Sequence, residues 1–559
     1  MSVIPSKIIP SLSSGSGGGG GGTIVSIGGG IPTNTITYPK LRIAANGRDF
    51  TLSWMDPNDT VVGAFTLAAW RQTIIVAKLG AIPESPDDGI EITRSTTRNQ
   101  YAYTPFSGSL DSAASYIFRA FPMTWNGMCN LEQKNNVIQV PQQIIYGYSI
   151  DESISDEANA VTPLSGCANE GYSNLKMNFD EDALNWGSWK DAFFMPRPCM
   201  LRYDGTVAYY LDPDDYTKKA DGTPSDIFDI AFDGNAMMEW DPVFMSADKS
   251  GDVIEVRISN KKVNENYECW SCKRHDGSYA EHFYTPIYEG TLDASNRLRS
   301  MSTNSKPSAG KTIAQFREYA KACNPEDVTI VDGGWDINTW ADEDLIRALG
   351  VLITGRLNTE VAISIYVGHS TSGLTNLVGT ANKKGMFYGH STKNATNMKF
   401  FGMENWWGHR WRATIGAIIS GGVWYLKMTK STVDGSQCSD YIDFISSPNN
   451  YAEYTGKYIN TGIARAGGNS SYITKMNGKT FASSKPSMVF MPTACSGGSA
   501  STFYCDAIWD AVHANTVSEL YLGGGVSNGS ACGLFTVSAY YYASYTDWNR
   551  GASLSYRPF

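Results

Sequence analysis

Residues Gly523 to Phe559 read GGGVSNGSACGLFTVSAYYYASYTDWNRGASLSYRPF, and the reading of the whole chain turns on this stretch. It holds eight aromatic side chains and only three charges, Asp547, Arg550 and Arg557. Successive side chains on a strand point to opposite faces, so Tyr540, Tyr541 and Tyr542 cannot all face one side, and some rings are expected on an exposed surface. Tyr545 follows close behind, among the small residues Ser538, Ala539, Ala543, Ser544 and Thr546. Tyrosine gives a large, rigid contact area with a hydrogen-bonding tip, and small polar neighbours adapt around it, which is the chemistry of antibody-like binding surfaces. A buried strand with aromatic cross-strand pairs is the competing reading.

The rest of the composition agrees with a loop-rich, aromatic-rich β protein. The chain has 559 residues and is 42% hydrophobic, enough apolar material for several cores. Charged residues make up 18%, against about a quarter in an ordinary soluble domain. With 45 basic and 55 acidic side chains and no long basic run, there is no electrostatic footprint for nucleic acid, which is not expected as a partner. No stretch approaches the roughly 18 apolar residues of a membrane span, and Met1 to Pro10 lacks the charged start and apolar middle of a secretory signal. A soluble chain without membrane insertion, synthesised in a cytoplasm, is the expectation. Ten cysteines scattered through so long a chain argue for reduced, buried thiols rather than a disulfide scaffold.

Three segments follow from the pattern. Residues 1–37 carry six consecutive glycines, Gly17 to Gly22, and a second cluster at Gly28 to Gly30. Such a run orders only when something else clamps it, so it reads as a tether, with Val3-Ile4-Pro5 and Ile24 to Ile27 as pieces that dock on a partner or fray. Residues 38–141 alternate short strands with turns: Phe50 to Trp54, the turn Asp56-Pro57-Asn58-Asp59, then Arg71 to Leu79, in the manner of a β-sandwich. Residues 142–559 open on Ile145 to Ile150 and contain two helical patterns, Thr312 to Cys323 and Asp342 to Leu352, the second with Leu345, Ile346 and Leu349 on one face. Trp411 to Ile419 and Val423 to Met428, joined by Ser420-Gly421-Gly422, predict a hairpin. Two helices among many strands predict one large α+β domain.

The words LSWMDPNDTVVGAFTLAAW (52–70) and TTRNQYAYTPF (96–106), with Trp54 early and Tyr116 to Phe121 late, resemble a fibronectin type III module of phage tail proteins. Further on, Gly523-Gly524-Gly525, Asn528-Gly529-Ser530, Gly533-Leu534-Phe535 and Trp548 to Tyr556 resemble the variable half of a C-type-lectin-like domain. That domain is related to formylglycine-generating enzymes and occurs in targets of diversity-generating retroelements and in phage receptor-binding proteins. FGMENWWGHRWRATIGAI (401–418) resembles another stretch of such tail proteins. The resemblance implies a multidomain chain: an N-terminal all-β immunoglobulin/fibronectin III-like sandwich, then a large α+β C-type-lectin-like domain whose variable-type region is 523–559. It implies a tail adhesin on the virion, attached to other tail proteins through its N-terminus, homo-oligomeric with a trimer as the family-like state, and binding a bacterial surface receptor, protein or glycan. Carried over by position, the ligand-binding residues are Ser527, Asn528, Ser530, Cys532, Tyr540, Tyr541, Tyr542, Tyr545 and Asp547. Val526 departs from the aromatic or polar residue common in related chains.

Two other functions remain open, a formylglycine-generating-type copper oxidase and a purely structural baseplate protein. The oxidase would use Cys495 and Cys505 in TACSGGSASTFYCDAIWD, yet their spacing is wider than the enzyme's close pair and its neighbouring residues are missing. Cys269-x-x-Cys272 with His275 and His282 has soft ligands that suit zinc, but the histidine spacing is wrong for a zinc finger. The carboxylates Asp212, Asp214, Asp215, Asp221, Asp226 and Asp229 lack the glycine and glutamate of a calcium loop and read as turns. No histidine lies in a recognisable catalytic context, so no catalytic residue, metal or cofactor is expected.

Overall fold

The computed structural model describes residues 40–46, 49–62, 65–98, 110, 115–129, 131, 136–140, 143–274, 277–326, 333–364, 376–391, 397–427, 458–511, 517–541 and 545–558. The tether of residues 1–37 lies outside them. Strand outweighs helix, 38% to 8%, so the protein is mostly β, and both helical patterns read in the large region form helices there. Two- and three-residue strands embedded in long loops, such as Val537–Ser538 and Lys399–Phe400, carry too short a period to be seen in sequence.

In the first module, Lys40–Asn46 pairs with Asp49–Met55, and Trp70–Leu79 lies between Ile90–Ser95 and Tyr116–Thr124, with Val137–Val140 beyond. Trp54 is buried against Ile75, Ala77, Phe118 and Ala120. Arg119 is buried as well. Its Nη1 donates to the Pro83 carbonyl and its guanidinium lies over the Phe121 ring. Among the described residues, no apolar cluster joins this module to the larger region.

The larger region is closed by its own C-terminus. Leu554–Arg557 inserts between Phe283–Pro286 and Gly334–Ile337 in a six-stranded sheet that continues through Gly234–Trp240 and Arg197–Arg202 to Val207–Tyr210. A second, larger sheet is built on Trp411–Ser420, hydrogen-bonded to Val423–Leu426 on one side, as the hairpin reading required, and to Val517–Leu522 on the other. Every residue of Trp411–Ser420 is buried, as expected of a strand covered on both faces. Trp411, Ala413 and Ile415 enter one core and Ala417 and Ile419 the other. A strict period of two would put all five on the same face, so the strand changes phase between them. The change falls at Gly416, which has φ +88° inside a break in register with the neighbouring strand.

Helix α1 (Ile313–Lys321) is capped by Thr312, whose side chain accepts from the Gln315 amide. Helix α2 (Trp340–Thr354) starts at Thr339 by the same device and ends at Gly355. The apolar stripe of α2 predicts one buried face. All of its residues are buried, because its polar groups are matched individually. Arg412 forms a two-pronged ion pair with Glu343, Nε to Oε1 and Nη2 to Oε2 both at 3.0 Å. Arg557 Nη2 meets Asp342 Oδ1 at 2.8 Å. Asp344 accepts the backbone amides of Val489 and Phe490. Arg347 donates to the carbonyls of Leu534 and Phe490.

Two stability predictions follow from the large sheet. Gly416→Ala places a side chain in left-handed backbone and is expected to cost about 1–2 kcal/mol in urea unfolding, without loss of the native spectrum. Glu519, on Val517–Leu522, is 1% exposed with neither carboxyl oxygen hydrogen-bonded among the described residues, and burial pushes its pKa from 4.5 up to about 8. The folded state therefore holds this proton after the unfolded chain has lost it. The associated stability is full below pH 4.5 and declines as pH rises to about 8. Unfolding free energies of the native protein and Glu519→Gln across that range should converge at low pH and separate at high pH, with the variant the more stable. Parallel curves would place the residue elsewhere.

Candidate functional site

The two stretches of sequence that stood out, 401–418 and 523–559, meet in space. The Gly408 amide donates to the Gly523 carbonyl, and the Val526 amide to that of His409. The glycines are required by close approach. A Cβ on Gly524, at φ +79°, would stand 2.5 Å from Cys532 Sγ and 3.0 Å from its Cα. Asn528 closes the turn by accepting the Gly525 amide at 3.0 Å. Behind this loop, the buried His409 ring contacts Glu289 through Nδ1 at 2.6 Å, and Asn405 Nδ2 donates to the same carboxylate at 2.7 Å.

Arg550–Gly551 runs parallel to Trp411–Arg412 and carries the chain out of the aromatic loop. Between that loop, the turn at Ser527 and Asn528, and the ends of the sheet strands lies an open cleft of about 300 Å³. Trp411 and Trp509 form one wall, their rings edge to face at 5.3 Å. Tyr540 and Tyr541 form another, ring to ring at 4.9 Å, and Tyr545 stacks on Tyr541 at 3.7 Å. Arg550 lines the cleft at 4% exposure, its guanidinium 4.3 Å from the ring centres of both Tyr521 and Tyr541 and 5.1 Å from Tyr545. Asp547 also lines it, accepting from Tyr545 Oη and from the Trp548 amide. Burial, then the contacts with Tyr541 and Asp547, push the Tyr545 phenol well above its ordinary range, so it stays a donor. Trp548, between the lining residues Asp547 and Asn549 in sequence, is 47% exposed.

Of the residues named from sequence, Ser527, Asn528, Tyr540, Tyr541 and Asp547 line this cleft. Tyr545 supports Tyr541 from behind, and Ser530 is exposed on the neighbouring turn. Tyr542 lies outside the described residues. Cys532 is a correction. It is fully buried, and its thiol donates to the Gly525 carbonyl at 3.2 Å, because the glycine turn needs a small side chain beneath it. Val526, also buried, belongs to the same support. Sequence reasoning missed Trp411, Trp509, Asn549 and Arg550 as lining residues. Arg550 was visible as one of three charges in the stretch, whereas Trp509 had no signal of its own.

The alternative centres are placed differently. Cys495 donates to the Ala466 carbonyl and Cys505 to that of Phe503, while burial pushes both thiols up. Cys269 and Cys272 are buried, His282 turns to Asp241 at 3.0 Å, and His275 lies outside the described residues. Among the described residues, no three His, Cys, Asp or Glu side chains could share a metal ion. Asp212, Asp215, Asp221 and Asp229 accept backbone amides two residues on, as turn-forming aspartates do. No protein-family model and no curated protein matches the chain.

Gly524→Ala tests the support beneath the cleft. The added methyl must displace the Cys532 backbone, and a loss of about 1–3 kcal/mol is expected in thermal or urea unfolding. Unchanged stability would mean that the turn is not held against Cys532.

Proposed function

We infer that the protein is an adhesin, a phage tail receptor-binding protein whose aromatic cleft contacts a molecule on the bacterial surface. The observation that carries this reading is convergence. Five residues carried over by position from the resemblance line a single open cleft, and the turn bearing two of them, Ser527 and Asn528, is anchored by buried glycines and a buried cysteine. Such a site suits recognition, since a rigid frame with half-buried aromatic rings loses little conformational freedom on binding and presents desolvated anchors. The resemblance adds the rest: a fibronectin III-like spacer, a C-type-lectin-like head, attachment through the glycine-rich N-terminus and several copies per virion, which would multiply weak single-site affinity. An oxidase of the formylglycine-generating type gains nothing from thiols that are protonated and donate to backbone carbonyls.

The test is competition. Purified protein should inhibit adsorption of the parent virion to its host, and the double variant Tyr540→Ala, Tyr541→Ala should do so at least about tenfold less well. The variant should still fold, because both rings are only half-buried, with a lower melting temperature from the loss of the Tyr541 face against Arg550. Undiminished inhibition would remove the cleft from the adhesive surface. Diversification has its own check: a near-copy of the 523–559 coding stretch, differing at adenines and beside a reverse transcriptase gene, is expected in the flanking DNA.

A further inference from the structure

Arg550 has an unusual setting for a buried cation. It makes no ion pair among the described residues, and its Nε and Nη1 find no hydrogen-bond acceptor there. Electron-rich faces of Tyr521, Tyr541 and Tyr545 surround it. Ring faces offset part of the cost of burying a guanidinium, but they do not replace an anion, and a buried charge is ordinarily paired. Other buried arginines have either a carboxylate, as Arg317 has Asp336, Arg412 has Glu343 and Arg557 has Asp342, or a backbone carbonyl, as Arg119 has that of Pro83 and Arg347 that of Leu534. Beside Arg550, Asn549 Oδ1 is a second buried group without a partner, an acceptor lacking a donor. Both residues line the cleft. Asp547 is the acidic group lining it, and its oxygens already accept from Tyr545 Oη and the Trp548 amide.

We propose that the cleft takes a carboxylate-bearing sugar, with Arg550 facing the acid and Asn549 accepting from a hydroxyl. The proposal rests on the adhesin reading of the same cleft. One unpaired cation and one unpaired acceptor call for a ligand that carries an anion and a donor within a few ångströms of each other. The aromatic walls suit a compact ring with an apolar face. A volume of about 300 Å³ fits one or two sugar residues. A flat protein surface, which needs roughly 800 Å² on each partner, is served less well by so small a concavity. The aspartate at the rim biases the site against polyanions, favouring a single carboxylate over a phosphate chain.

The experiment titrates the full chain with glucuronate, galacturonate and N-acetylneuraminate, and with glucose, galactose and glycerol phosphate, following fluorescence of the cleft tryptophans and heat of binding. At least one acidic sugar should bind at least about tenfold more tightly than the neutral ones, and Arg550→Gln should abolish that preference. Arg550→Lys keeps the charge and loses the planar stack, and should retain part of it. If neither variant folds, the selectivity of the native protein still decides. Equal binding of acidic and neutral sugars, preference for glycerol phosphate, or binding of none of the panel would each overturn the proposal. In the last case, protein that still competes for adsorption leaves the adhesin reading standing and directs attention to an acidic protein receptor. Failure of the native protein to inhibit adsorption at all would instead remove the adhesin reading itself.

Discussion

The Asp342-Glu343-Asp344 run at the start of α2 is the constraint on which the large region depends. A helix with three consecutive carboxylates would ordinarily keep them in water, yet here all three are buried. Each is matched by a different part of the chain: the C-terminal strand through Arg557, the long strand through Arg412, and the 489–490 backbone through two amides. Removing one partner of such a pair typically costs 3–5 kcal/mol, since the remaining charge is left buried and alone. Folding therefore cannot be completed piecemeal. The segments arrive together or the helix stays unsatisfied.

That arrangement also sets the cleft. Arg412 adjoins Trp411, whose ring forms a cleft wall, and Arg412 further donates to the Trp406 carbonyl, the same carbonyl that a Cβ on Gly523 would strike at 2.6 Å. Arg347, one turn along the helix from Glu343, holds the Leu534 carbonyl on the far side of the glycine loop. The loop bearing Ser527 and Asn528 is thus held on both flanks by a helix that lines no part of the cleft. Past Ser538 the Ala539 amide donates to the Trp509 carbonyl, and the chain is anchored to the sheet again at Arg550–Gly551.

The sequence was legible where a local period or a turn residue carried the information. The strand Arg71 to Leu79, the hairpin that begins at Trp411 and helix α1 could be read because each is decided within about a dozen residues. The burial of α2 could not, because the arginines that neutralise it lie far along the chain at Arg412 and Arg557. For the same reason the cleft was half legible. Its loop residues are adjacent in sequence, while Trp411 and Trp509 reach it only through strand pairing. Cys532 was misread because nothing local separates a small exposed residue from a small residue under a glycine turn.

Position within this frame explains how the tyrosines can be both supported and available. A ring on a central strand of the sheet would be covered on both sides, as Tyr521 is, and could be replaced only at the cost of a cavity. Tyr540 and Tyr541 follow the two-residue strand Val537–Ser538, at the point where pairing ends, and both are half-buried. Substitution there changes what the cleft contacts while the hydrogen bonds of Gly523 to Val526 and the ion pairs of α2 remain in place. Arg550 differs from its neighbours in this respect. It is as buried as the frame and yet faces the cleft, so whatever variation the tyrosines permit must be compatible with one fixed positive charge. Replacing the tyrosines would change the shape of the cleft and leave that positive charge in place.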